Sequence, residues 1–212
     1  MDNKYSQHNE DEQMDAMYIF YKKKFPSFIV DVGAGDGLFL SNSRRFIEKY
    51  DFGGLMIEPS DEPFKDLNKL YKDNKKVKCL KKAMADKIFN YTMVPDDAWP
   101  KPHWTINQTV KKKSSKRTTE KLSTIITRRR IREIGILSID TEGYDTRIIT
   151  EFIKNCDVRP HLIIIEKKTP GDGMGQGIAL AEDYFLATSI QFNDIFLLQK
   201  YEKNFSRFLN PK

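Results

Sequence analysis

The sequence predicts one α/β domain built on a doubly wound, mostly parallel sheet. Short apolar runs alternate along the chain with amphipathic stretches of helical period. A length of 212 residues suits one ordinary domain with room for a surface insertion. A glycine-rich turn, Gly33 to Gly37, closes the first apolar run. A hydrophobic fraction of 39% with 12% aromatics excludes a disordered chain.

The elements follow in order. Met14, Met17, Tyr18 and Tyr21 recur at helical spacing, so 10–24 is expected to be a helix ended by Phe25-Pro26. Phe28-Ile29-Val30, closing at Asp31, reads as a buried strand, and 38–50 as a helix with Phe46, Ile47 and Tyr50 inward. Residues 54–57 form a second strand, Phe64, Leu67, Leu70 and Tyr71 mark another helix, and 77–80 a third strand. Then the rhythm lapses. An extra strand is expected at 88–94, but prolines surround Trp99 and Trp104, and 95–118 reads as a loop insertion. Thr118 or Thr119 caps a helix to about 132; a strand at 134–139, a helix at 146–154 and a strand at 162–165 restore the alternation. Residues 170–177 are a glycine-rich loop without the Lys-Ser/Thr ending of a phosphate-binding loop, and strands at 184–188 and 195–199 end the pattern. The expected organisation is one domain over 1–212, with an N-terminal helical segment at 1–25.

Composition narrows the setting. Two cysteines, Cys79 and Cys156, are too few for a disulfide scaffold or a four-thiolate zinc site and suit a reducing compartment. The polar, acidic stretch 1–15 is not expected to serve as a signal peptide, and no apolar run approaches the roughly 20 residues that span a bilayer. A cytoplasmic location is expected. The net charge of +6 is local: residues 111–132 hold ten Lys or Arg against the single acid Glu120, so the block carries +9 and the remainder −3. Such a block is either solvated surface or a surface for an anionic partner. It contains no aromatic residue, whereas readers of single-stranded nucleic acid combine charge with stacking.

The chemistry concentrates in Asp31-Val32-Gly33-Ala34-Gly35-Asp36-Gly37. A dinucleotide fingerprint would place glycine at position 38, which is Leu38; here the glycines run 33, 35, 37 with an acid at each end. Acids in this turn repel a pyrophosphate and suit a cationic amino-acid head, which points to S-adenosylmethionine. Glu58, ending the second strand about 20 residues on, stands where a carboxylate accepts ribose hydroxyls. Ala83-Met84-Ala85-Asp86 follows the third strand and offers small and apolar contacts for adenine. His8, His103 and His161 lack metal-ligand spacing; His103, Trp99 and Trp104 suit stacking on a sugar ring.

These residues resemble the FkbM-type S-adenosylmethionine-dependent methyltransferases, in particular the branch with an N-terminal Ser-Gln-x-x-Glu-Asp pattern. Here that pattern is Ser6-Gln7-His8-Asn9-Glu10-Asp11. Further matches are Asp31 to Gly37, Ser41-Asn42-Ser43, Gly54 to Pro59, Ser138-Ile139-Asp140-Thr141-Glu142-Gly143-Tyr144-Asp145, Ile163 to Glu166 and Gln191-Phe192-Asn193-Asp194-Ile195-Phe196. The resemblance implies a Rossmann-like class I methyltransferase fold, a seven-stranded mostly parallel sheet with an antiparallel last strand pair. It also implies methylation of a hydroxyl group, often on sugars or polyketides. The cofactor-binding set it implies is Gln7, Asp31, Gly33, Ala34, Gly35, Asp36, Gly37, Ser41, Asn42, Glu58, Pro59, Ala83, Met84 and Asp140.

Asp140 and Glu142 end the fourth strand at the switch point of such a sheet, and Glu166 ends the fifth, so the three carboxylates are expected to converge as catalytic groups. A carboxylate among carboxylates has a raised pKa and suits a general base toward a hydroxyl. Asp140 and Glu166 equally suit Mg²⁺ or Mn²⁺ through hard oxygen ligands. Asp140 as a helix cap and Glu142 as a first-turn acid are the structural alternatives. The expected activity is O-methylation of a carbohydrate or glycan hydroxyl. One alternative is RNA ribose 2′-O-methylation, with the basic block on phosphates; those enzymes resemble a Lys-Asp-Lys-Glu arrangement in which a lysine ends the fifth strand, and here Glu166 occupies that place, with Lys167 and Lys168 one and two residues late. The other is a non-catalytic cofactor-binding protein, which has no use for clustered acids.

Overall fold

The structure, a computed structural model, describes residues 5–6, 9–21, 24–96, 103–108, 117–167, 180 and 182–209, with the backbone alone for 94–96 and 103–108. Gln7, Trp99, Lys111 to Lys116 and the 170–177 loop lie outside the described residues.

The first half runs α1 (Glu10–Tyr21), β1 (Phe28–Val32), α2 (Arg44–Tyr50), β2 (Gly53–Ile57), α3 (Asp61–Leu70) and β3 (Val77–Leu80). A ribbon of β4 (Tyr91–Asp96) and β5 (His103–Gln108) intervenes. The second half is α4 (Leu122–Arg128), β6 (Ile136–Ile139), α5 (Asp145–Asn155), β7 (Leu162–Glu166), β8 (Tyr184–Ile190), β9 (Asn193–Leu198) and α6 (Glu202–Leu209). The main sheet has seven strands in the order β3-β2-β1-β6-β7-β9-β8. Pairing is parallel from β3 to β7, while β9 runs antiparallel to both β7 and β8. The order reverses between β1 and β6, so loops leaving their carboxyl ends diverge and leave a crevice.

Both sheet faces are covered, which explains the near-continuous apolar strands. On β1, Ile29 joins Met14, Met17, Phe46, Phe52 and Leu67 on one face. Val30 and Val32 join Leu122, Ile125, Ile148, Ile149 and Phe152 on the other. Period-two alternation therefore divides each strand between two helical layers. Among the described residues no helix is long and apolar enough to cross a membrane.

Four expectations need correction. The helix expected over 38–50 begins only at Arg44. The Asp36 carboxylate accepts the Leu38 and Phe39 N–H groups at 2.8 and 2.7 Å, and Leu40 takes a left-handed φ of 53°, so the backbone turns before it can coil. The helix expected from Thr118 to 132 is only Leu122–Arg128, because the Thr119 hydroxyl donates to Lys87 O at 2.7 Å instead of capping it. The 95–118 insertion carries β5, which pairs with β4; Trp104 and Ile106 alternate with polar neighbours over 103–107, a short signal set among prolines. Finally, α6 was not expected, although Tyr201, Phe205 and Phe208 stand at helical spacing.

Candidate active site

A cavity of about 230 Å³ opens at the carboxyl ends of the central strands. Its floor is the turn after β1. Gly33 and Ala34 donate N–H bonds to Ile57 O at 2.9 and 3.1 Å, tying the turn to the end of β2. Gly33 has a φ of 90°, and a Cβ there would stand 1.6 Å from the Asp140 carbonyl oxygen, so only glycine lets β1 and β6 meet at the switch point. At Gly35, with φ of 56°, a Cβ would have nothing within 4 Å, which leaves open space above the backbone. Asp31, Gly33, Ala34, Gly35, Asp36, Ser41, Asn42, Glu58, Pro59, Ala83 and Met84 line this cavity. Gly37 is not among the lining residues; its Cα faces Leu67 and Leu70 of α3.

Two buried acids stand beneath the turn. Glu58 accepts the Gly35 N–H at 2.9 Å and the Ser60 N–H at 2.7 Å, so it shapes the turn while keeping lone pairs for a ligand. Burial pushes its carboxyl above the ordinary range. Burial, with a contribution from the Glu58 charge, pushes the Asp31 carboxyl up to about 6, against the opposing influence of the Ser43 and Ser138 hydroxyls. Ala83 and Met84 are pinned from behind, since Glu120 N–H donates to Ala83 O at 2.9 Å and Ala85 N–H to Glu120 O at 3.0 Å.

Three further carboxylates meet at the other end. Oxygens of Asp140, Glu142 and Glu166 lie within 4.8 Å of one another, and all three residues line the cavity. Burial first, then the charges of Glu166, Asp145 and Glu142, raise the Asp140 carboxyl well above its ordinary value. The loop is held by Asp145, the first residue of α5, whose carboxylate accepts the Thr141 and Gly143 N–H groups at 2.8 and 3.0 Å. Within that turn Glu142 adopts a left-handed φ of 56°, uncommon for a residue with a long side chain.

The lining also includes residues the sequence reading did not assign: Glu10, Phe39, Leu40, Ser60, Lys82, Ser138, Thr141 and Asn193. Phe39 and Leu40 were hidden by the expected helix. Glu10 and Asn193 stand inside matched motifs, but their shared destination is a tertiary fact. Beside these acids and the glycine backbone the lining carries the small or apolar Ala34, Pro59, Ala83 and Met84, a fit to a ligand with a cationic amino-acid head, a ribose and an adenine.

A family model described as the methyltransferase FkbM domain matches residues 31–202. A search of curated proteins finds no match. Among solved structures the chain is similar to an Escherichia coli protein described as methyltransferase yhhF. Identity is 10%, 93% of this chain and 89% of that one are covered, and the TM-score is 0.50. It is also similar to a methyltransferase FkbM from Methylobacillus flagellatus KT. There identity is 14%, 91% of this chain and 56% of that one are covered, and the TM-score is 0.51. At such identities these likenesses show the fold. The family match is more specific, because it runs from Asp31 beneath the cavity to the start of α6 and takes in both acidic ends of the site: the chain belongs to the FkbM methyltransferase family.

Proposed function

We propose that the protein is an S-adenosylmethionine-dependent O-methyltransferase acting on a carbohydrate hydroxyl. The family implies the cofactor, and the observation that carries the rest is the close grouping of the Asp140 and Glu166 carboxylates in the cavity wall. When bound, S-adenosylmethionine supplies an electrophilic methyl group on a sulfonium. The chain's own contribution is positioning and one proton. Asp31 and Asp36 face the cationic head, Glu58 faces the ribose hydroxyls, and Ala83 and Met84 face the adenine. Ser41 and Asn42 close the wall beside them.

At the far end, Asp140 or its partner Glu166 takes the proton of the acceptor hydroxyl as its oxygen becomes the nucleophile. A carboxyl held above its ordinary range is a better base than a free one, and such positioned bases contribute about 10²–10⁴-fold. Orientation of acceptor against methyl donor supplies more, since effective molarities are worth ~7–11 kcal/mol. The same acids speak for a sugar over RNA, because they repel a phosphodiester backbone. The grouping of Asp140, Glu142 and Glu166 also favours a second version, in which Mg²⁺ or Mn²⁺ held by these oxygens lowers the hydroxyl's pKa. Two free thiols accord with a cytoplasmic setting.

The test is transfer of a labelled methyl group onto a glycoside panel and an RNA panel, each with and without EDTA. Label on a sugar oxygen is expected. Loss with EDTA and recovery with Mg²⁺ or Mn²⁺ selects the metal version, and label on RNA alone overturns the carbohydrate assignment.

A further inference from the structure

Glu10 and Asn193 line the acidic end of the cavity, and the reaction as proposed uses neither. They are 183 residues apart in sequence, yet Asn193 Nδ2 donates to Glu10 Oε1 at 3.0 Å. Glu10 is 1% exposed and Asn193 8%. The carboxylate partner fixes the orientation of the amide, because only the nitrogen can donate. That leaves Asn193 Oδ1 buried with no hydrogen-bond partner among the described residues. An orphaned buried acceptor costs about 1–3 kcal/mol, and a ligand hydroxyl would recover that loss.

Both residues are held rigidly by their neighbours. Next to Glu10, Asp11 forms a buried ion pair with Arg45 of α2 at 2.5 Å, and one turn on Asp15 meets the same arginine at 3.0 Å. Next to Asn193, Asp194 pairs with Lys167 at 2.6 Å, with both side chains about 5% exposed. Asn193 also stands directly opposite Glu166 in the β7–β9 ladder, so its side chain and the proposed base share one sheet face. A pair needed only for packing would be served by two apolar side chains. Here polar groups are fixed beside the reacting carboxylates.

We propose that Glu10 and Asn193 form the acceptor subsite of the methyl transfer, and that the subsite takes a hydroxyl-rich ring without anionic substituents. This inference rests on the function proposed above and names the substrate class of that same site. Glu10 accepts hydroxyl hydrogens, Asn193 Oδ1 accepts another, and the ring is held with one hydroxyl toward Asp140 and Glu166. A carboxylate or phosphate on the ring would meet Glu10, Glu142 and Glu166 and be rejected.

The test uses the full chain saturated with S-adenosylhomocysteine, titrated with methyl hexopyranosides and the corresponding methyl hexopyranosiduronates and read by saturation-transfer NMR. The neutral ring should bind and the uronate at least ~10-fold more weakly. Asn193→Ala and Glu10→Gln should each weaken the neutral ring by about 10-fold, the worth of one hydrogen bond, while homocysteine-adduct affinity stays within about 2-fold. Glu10→Gln should also narrow the gap between neutral ring and uronate, which a purely structural role would not do. Equal binding of both rings by the unmodified protein, or no binding of either, overturns the subsite without recourse to a variant. Bound glycoside with no methylated product overturns the proposed reaction and leaves the subsite standing. Product formed with an unchanged KM in both variants overturns the subsite and leaves the reaction standing.

Discussion

Lowering the pH from 8 to 5 should weaken binding of S-adenosylhomocysteine about 10-fold, because Asp31 must ionise to meet its ammonium group. In the ligand-free protein burial holds the Asp31 carboxyl at about 6. At pH 5 roughly one molecule in eleven has the charged form, and at pH 8 nearly all do. Binding selects the charged form, so affinity falls by about 1.4 kcal/mol over this range, and close to one proton is released per ligand bound at pH 5. The same shift has a stability consequence of definite sign. A folded-state pKa of about 6 against an ordinary 3.8 favours the fold below the lower value, and that contribution, about 3 kcal/mol, is lost as pH rises through 6. The ligand-free protein should therefore melt lower at pH 7 than at pH 5 as far as this group decides, and the ligand should restore more at pH 7. Calorimetry at pH 5, 6, 7 and 8, in two buffers of different protonation enthalpy, reads both affinity and proton release. In Asp31→Asn the pH slope should flatten. An affinity flat from pH 5 to 8, or an unchanged slope in Asp31→Asn, would refute the assignment of Asp31 to the cationic head.

Other perturbations test other parts of the site. Glu58→Ala removes the acceptor for the Gly35 and Ser60 N–H groups as well as the ribose contact, so cofactor affinity should fall by roughly 2–3 kcal/mol; calorimetry showing less than a 3-fold loss would contradict it. Asp140→Asn should lower kcat about 10²–10⁴-fold while cofactor affinity changes little, and the wild-type rate should rise with pH as this elevated carboxyl ionises; a variant with near-normal turnover would remove Asp140 from the chemistry. Gly33→Ala should prevent folding, since its methyl would overlap the Asp140 carbonyl, and a normal circular dichroism spectrum with a normal melt would show that the β1–β6 contact is looser than described. Arg45→Ala leaves the buried Asp11 carboxylate without its counter-charge, while Asp15 keeps Lys49, and should cost about 3 kcal/mol in urea unfolding, a reading that a loss below about 1 kcal/mol would overturn.

The amino-acid sequence by itself determined the α/β alternation, the glycine turn between acids and the carboxylates ending β1, β2, β6 and β7. Those features are local. An apolar run stops where a strand stops, and a glycine between acids announces a tight turn whatever surrounds it. Strand ends then converge because parallel strands all present their carboxyl ends at one edge of the sheet. The tertiary structure decided what depends on a distant partner. The apolar residues 38–40 extend the helical pattern of 44–50, but the Asp36 side chain captures the Leu38 and Phe39 N–H groups and turns the segment into a cavity wall. The ribbon strand β5 does alternate, with Trp104 and Ile106 between polar neighbours, but only the fold supplies its partner, β4, outside the main sheet. Asp145 looks like an ordinary first-turn helix acid, and only the folded loop gives it the Thr141 and Gly143 N–H groups to hold. Glu10 and Asn193 are the clearest case. Each is a polar residue in a polar stretch, and nothing short of the packed sheet, with α1 clamped onto α2 by Arg45, brings two groups 183 residues apart into one hydrogen bond beside the proposed base.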